Sequence, residues 1–245
     1  MKLPFTDQQF FELFRRYNEG VFPAQIVAIL LCLGLIALAF RGASGRLVYG
    51  ALAALWAWNG AMYHMAYFSE INPVARVFGV AFLLQAVVFL VAALRGDERF
   101  RFRGGAWPVL GAAVVLYGVV LYPLLGWMAG HAYPSSPVLG VAPCPTSIFT
   151  FGVLMLCEMR LRWWVGVLPL LWAVVGTSAA FTLGVIEDYG LGASGLLFLA
   201  YVFAGRKHAP PQFQRPEGPR EDSPGQRMSE CSATPAGVGM QSAVY

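Results

Sequence analysis

The sequence predicts an all-α fold: a polytopic membrane helix bundle with about seven transmembrane helices, an N-terminal interfacial helix and a disordered C-terminal tail. Three observations predict it. Apolar residues make up 58% of the 245-residue chain and charged residues only 12%, whereas soluble domains sit near half apolar and about a quarter charged. Long runs carry no charge, among them residues 21–40 and 107–130, and a run of about 20 apolar residues crosses a hydrocarbon core of roughly 30 Å as a helix. The arginines flank these runs instead of interrupting them, as membrane orientation requires.

Residues 1–20 form the first unit. Thr6 and Gln9 stand in capping-box spacing, and Phe10, Phe11, Phe14 and Tyr17 then share one helix face. This amphipathic stretch is too polar to span, and its pattern predicts an interfacial helix lying flat on the bilayer; the alternative is a helix plugged against the bundle. It lacks the basic start, apolar middle and small-residue cleavage site of a signal peptide, so the first span is expected to serve as its own insertion signal. The transmembrane domain covers residues 21–204, with spans at 21–40, 47–68, 74–94, 107–130, 145–159, 163–185 and 189–204. Residues 205–245 are rich in Pro, Gly and charge with nothing to bury, and are expected to be disordered.

The loops give the orientation. Arg41 and Arg46 lie in the first, Arg95, Arg99, Arg101 and Arg103 in the third, and Arg160 and Arg162 in the fifth; Arg206 and Lys207 follow the last span. The second, fourth and sixth carry no Lys or Arg apart from Arg76 at one edge. The alternation predicts cytoplasmic odd loops and C-terminus, and an N-terminus outside. Lys2, Arg15 and Arg16 oppose this, accompanied by Asp7, Glu12 and Glu19. The net charge of +4 thus reflects orientation, and the expected partners are the lipid bilayer and a small solute or ion, with no nucleic acid. Cys32 and Cys157 lie in spans and Cys231 in the tail, leaving Cys144 in a connecting segment, so no disulfide framework is expected.

The remaining polar residues gather on the outer side: His64 near the end of the second span, Glu70 and Asn72 after it, His131 after the fourth, Cys144 opening the fifth, and Glu187 and Asp188 between the last two. Polar groups at membrane depth usually face a cavity or a partner, although Glu70, Glu187 and Asp188 taken singly read equally as groups in interfacial water. Pro143 and Pro145 bracket Cys144. A helix tolerates proline at its first position, so the fifth helix is expected to start at Pro145. Its fifteen residues to Met159 reach about 22 Å, short of roughly 30 Å. Residues 138–144 should therefore dip inward as unwound backbone shielded by protein or lining a wet cavity, placing Cys144 at a helix N-terminus that favours thiolate. The alternative is a kinked, continuous helix from Ser136. Asn59 and Gln85 read as hydrogen-bonding groups between helices, and Gly176, Ala180 and Gly184, like Gly126 and Gly130, as close-packing positions.

Four stretches carry a resemblance: FTxxQFFELFxxYN from Phe5, WNGxxYHMxxFSxINPxA from Trp58, APCPTSIFTFG from Ala142 and GTSAAFxLGVxEDYGL from Gly176. They resemble a bacterial family of multi-pass membrane proteins catalogued as domain of unknown function 6064, over residues 5–204. The resemblance implies a bacterial inner membrane and supplies no activity or site residue. Three function classes follow from the residues. A transporter or permease-like protein would use the polar site near the outer face; its cargo could be a metal ion, with His64, His131 and Cys144 offering nitrogen and sulfur and Glu70, Glu187 or Asp188 oxygen, although no His-x-x-x-His or Cys-x-x-Cys spacing occurs. A membrane-embedded enzyme would use Cys144 as a nucleophile activated by His131 or His64, or a metal-activated water. A non-catalytic assembly or accessory protein needs no site at all.

Overall fold

Thr6 opens the first helix. Its hydroxyl accepts from the Gln9 backbone N–H at 3.2 Å, and the Gln9 side chain accepts from the Thr6 N–H at 2.9 Å. This capping box starts α1, Asp7–Gly20, in the computed structural model, which describes residues 4–158 and 161–207. Phe10, Leu13, Phe14, Tyr17 and Asn18 of α1 are buried, with Phe14 and Tyr17 packed on Tyr63 and Phe10 on Phe68. On its other side Arg15 pairs with Glu12 and Glu19. Of the two arrangements open to this helix, its aromatic face takes the one turned into the protein.

Each of the seven apolar runs is helical. Helix α2 spans Ala24–Arg41. Helix α3, Gly45–Trp58, continues as a π-helix over Asn59–Tyr67 and ends in a 3-10 turn, Phe68–Glu70. Helix α4 covers Ala75–Arg95. Helix α5, Ala106–Leu116, passes through π-helical Tyr117–Leu121 into α6, Tyr122–Met128. Then come α7, Pro143–Leu154, α8, Val167–Leu183, and α9, Tyr189–Lys207. Among the described residues, four segments, Ala24–Arg41, Ala75–Arg95, Ala106–Met128 and Trp163–Leu183, are long and apolar enough to cross a membrane. The described residues are mostly helical; among them the departure from all-α is a two-residue antiparallel pair, β1 Ala43–Ser44 with β2 Arg99–Phe100, joined by a bridge from Phe100 to Cys157. The tail expected to be disordered lies outside the described residues from His208 onward.

The hydrophobic pattern is inside out. Large apolar side chains stand exposed along the outer faces of α2, α4 and α8, among them Leu30, Val77, Leu84, Val174 and Phe181. Asn59, Gln85, Thr146, Ser147 and Thr150 are wholly buried. Gln85 donates to the Val165 carbonyl at 2.9 Å, tying α4 to the turn that enters α8. Helices α3 and α4 approach through glycine: a Cβ on Gly60 would lie 2.9 Å from the Gly79 carbonyl oxygen.

Helix α7 sits at the centre, with every residue but Cys144 buried. It starts at Pro143, two residues before the expected Pro145, because both prolines fit in a first turn whose N–H groups have no intrahelical partner; Ala142 is extended, as a residue before proline prefers. It ends at Leu154, short of the expected Met159. Its twelve residues reach about 18 Å. Residues 138–142 are unwound, not a continuation of the helix back to Ser136. Their buried polar groups find partners in other elements. The Tyr17 hydroxyl donates to the Val141 carbonyl at 2.8 Å and the Asn59 amide to the Gly140 carbonyl at 3.0 Å. Thr146 accepts from the Gly140 N–H at 3.0 Å and donates to the Ala142 carbonyl at 2.6 Å. Upstream, the Asn18 amide donates to the Pro134 and Ser136 carbonyls at 2.6 and 2.8 Å.

Asn59→Ala leaves the Gly140 carbonyl without this donor and should destabilise the fold by about 1–3 kcal/mol. A drop in the thermal unfolding midpoint of the purified protein, against no change for Ser178→Ala on an exposed surface, checks this.

Candidate functional site

The site begins where α8 ends. Gly184 takes a left-handed conformation, with φ of 71°, and turns the chain back into the bundle. Val185 is buried behind it, and the 3-10 turn Ile186–Asp188 folds two acidic side chains inward, Glu187 at 0% and Asp188 at 4% exposure. The small-residue spacing of the sequence thus splits by role: Gly184 and Gly130 serve the backbone, with positive φ and open space around them, whereas Gly176 and Gly126 permit contact. A Cβ on Gly126 would lie 3.1 Å from Glu187 Oε1.

The two carboxyl groups look different ways. Glu187 Oε1 lies 3.1 Å from His131 Nδ1, and the Tyr117 hydroxyl donates to the Glu187 backbone carbonyl at 2.7 Å. Phe11 of α1 stacks on the His131 ring with centroids 4.0 Å apart. Asp188 Oδ1 accepts from the Tyr122 hydroxyl at 2.6 Å, and the Cys144 thiol lies within its hydrogen-bonding reach. Burial pushes the Asp188 carboxyl up to about 7; the hydrogen bonds from Tyr122 and Cys144 favour its charged form, and the neighbouring Glu187 charge opposes it.

Asp188 and Cys144 open onto a cavity of about 430 Å³. Phe5, Phe10 and Phe14 wall it from the N-terminal segment, and Tyr63, Phe68 and Phe78 from the α3–α4 side. Helix α8 contributes Trp172, Val175, Ala179 and Leu183. Among the described residues, no Lys or Arg lines it.

The other expected site residues are placed separately. Asn72 is buried, accepts from the Val74 N–H at 3.2 Å and lines the same cavity. Glu70 is exposed and pairs with Arg16 of α1 at 3.0 Å. His64 is fully buried among Tyr63, Phe68, Phe78, Phe82 and Trp172, and neither ring nitrogen has a hydrogen-bond partner. His64, His131 and Cys144 do not converge as a metal set: among the described residues no group of three or more His, Cys, Asp and Glu is placed to hold an ion. Nor does a hydrogen bond join Cys144 to either histidine, since His131 is engaged by Glu187 and His64 is sealed in rings. Sequence reasoning missed Tyr122 and Trp172. Tyr122 carries a hydroxyl within an apolar run, a polar handle that seeks a partner when buried; Trp172 gives no such signal.

Residues 7–210 match the model of a family described as a family of unknown function (DUF6064). No curated protein and no solved structure matches the chain.

Asp188 holds its proton to a higher pH in the folded chain than an ordinary carboxyl does in the unfolded one. Its contribution to stability is therefore complete below the unfolded carboxylate range and lost as pH rises through about 7. The stability of the parent relative to Asp188→Asn should fall between about pH 4 and pH 8, measured by denaturant titration at each pH. A difference independent of pH would refute the assignment.

Proposed function

The chain belongs to this family of unknown function, and from that premise we propose that it is a multi-pass protein of a bacterial inner membrane which binds a small solute in the cavity beside Asp188, as a transporter or permease-like protein does. The seven helical segments are its spans, the N-terminus lies outside and the C-terminus in the cytoplasm. Exposed apolar faces on α2, α4 and α8 support the lipid contact, since monomeric soluble proteins rarely leave such surfaces uncovered.

The grouping of the loops supports the orientation. The first and third meet through β1 and β2, the third and fifth through the Phe100–Cys157 bridge and through Arg162 on Asp97 at 2.7 Å. These are the Arg-rich loops that the positive-inside rule assigns to the cytoplasm. At the other end, α1 reaches the second loop through Arg16 and Glu70 and the fourth through Phe11 and His131, while His131 meets Glu187 of the sixth. Such segregation is what chain crossings in alternate directions would give. α7 is too short alone, and the unwound, protein-shielded residues before it extend its reach.

One observation carries the binding reading: an acid and a thiol share a largely apolar cavity of ordinary ligand size, within about 300–1,000 Å³. An enzyme using Cys144 with His131 or His64 as its base would need that histidine beside the thiol, and both are engaged or enclosed elsewhere.

Cysteine labelling tests both parts. With Cys32, Cys157 and Cys231 replaced by Ser, an apolar maleimide should label Cys144, and Ala179→Trp, which fills the cavity, should slow labelling by about tenfold or more. An unchanged rate would remove the cavity as the route to the thiol. In the same background with Cys144→Ser, a charged, impermeant maleimide should reach Ala132→Cys in intact cells and Gly104→Cys only after permeabilisation; the reverse pattern would invert the topology.

A further inference from the structure

We propose that the ligand of this cavity is a lipophilic cation: an amine or quaternary ammonium group on an aromatic or alkyl body. The proposal rests on the reading of the cavity as a ligand site and assigns the chemistry of its occupant.

Charge is the first argument. The titratable groups facing Asp188 are Tyr63, Tyr117, Tyr122, Cys144 and Glu187. None is a cation. His131 lies behind Glu187 and is engaged by it, and Arg16 is held outside by Glu70. Among the described residues, the carboxyl group that reaches the cavity, Asp188, thus has no Lys or Arg to balance it. A buried charge without a partner is costly, and a cation in the cavity would supply the missing one. An anion would meet the Asp188 carboxyl, whereas a neutral apolar solute would leave its charge unbalanced. Among the described residues, a bare metal ion finds no third His, Cys, Asp or Glu ligand.

The walls are the second argument. Phe10, Phe14, Tyr63, Phe68, Phe78 and Trp172 present rings to the cavity. Aromatic faces attract cations through their ring quadrupoles, more strongly when water is excluded. They suit a weakly hydrated, bulky ammonium and disfavour a strongly hydrated inorganic ion. The rim is the third. Val74 and Val175 line the cavity and are also exposed, at 54% and 36%, so the opening lies among the apolar outer faces of α4 and α8. The occupant must therefore be compatible with an apolar phase as well as with a carboxylate.

The test compares phenethyl-trimethylammonium with its neutral tert-butyl isostere, equal in shape and different in charge, by equilibrium dialysis against the full-length purified protein, with protein-free micelles as the partition blank. At pH 8 the cation should bind at least about tenfold more tightly than the isostere. The preference should shrink at pH 6, as Asp188 takes up its proton, since the ligand's charge is fixed. Asp188→Asn should lose the preference and still bind the isostere, which also shows that the variant folds. Equal affinity of the two compounds at pH 8, or a preference that survives Asp188→Asn, overturns the cation proposal and leaves the cavity as a ligand site. Binding of neither compound overturns the cavity reading itself. Should Asp188→Asn lose the isostere too, the parent decides: a preference unchanged between pH 8 and pH 6 is a failure.

Discussion

A stretch of backbone that is neither helix nor surface must still satisfy its N–H and C=O groups, and residues 134–142 impose that demand on the whole protein. Each carbonyl left without a partner in a dry interior costs a few kcal/mol. The donors come from three places in the sequence: Tyr17 and Asn18 on α1, Asn59 at the head of the π-helix, and Thr146 in the first turn of α7. The position of α1 follows from this. Tyr17 relays a bond, accepting from the Trp58 indole N–H at 2.9 Å while it donates to Val141, so the helix is fixed at its C-terminal half to both the α3 segment and the unwound segment. With that half pinned, the N-terminal half lays Phe10 and Phe14 over the cavity. The cavity wall is thus a consequence of backbone satisfaction elsewhere.

The same segment explains the wide turn of the α3 continuation. Asn59 donates to Leu55 of its own helix at 2.8 Å and to Gly140 across the interface at 3.0 Å. The π-helical winding begins at this residue, and such local departures from α-helix commonly mark functional positions. Downstream it carries Tyr63 to the cavity wall and His64 into the cage of rings. Gly60 keeps α4 close enough for Phe78 and Phe82 to close that cage.

Much of this was legible in the sequence because the signals are local. Apolar runs located the helices after α1, Thr6 and Gln9 announced the capping box that opens α1, and the prolines around Cys144 marked an interrupted helix. The start of α7 was misplaced by two residues because one proline was assigned to the first position, when a first turn accommodates two. The site was legible only in part. Glu187 and Asp188 were named together, but nothing in their adjacency tells that a left-handed Gly184 would turn both inward and send one to His131 and the other to Tyr122. Pairings across 66 or 124 residues, as between Tyr122 and Asp188 or Tyr17 and Val141, leave no periodic trace. His64 stands apart from the expected cluster for a related reason: helix register, not distance along the chain, decides which face it presents.

Asp188 is where the architecture departs furthest from what packing alone would select. A well-packed apolar residue in place of a buried charge is often neutral or stabilising by about 1–4 kcal/mol. The fold instead surrounds a carboxyl group with rings and gives it two uncharged partners, Tyr122 and Cys144, that favour its charge without neutralising it. The adjacent Glu187 shows the contrast: its Oε1 has an imidazole at 3.1 Å with an aromatic cover over that imidazole, and it does not line the cavity. The Asp188 arrangement is open on one side, toward the cavity, and a group that completes it must come from outside the chain. A stabilising interaction withheld from the folded protein and available only to a ligand is how binding free energy is concentrated at one position, and in this molecule that position is the inner end of the turn between α8 and α9.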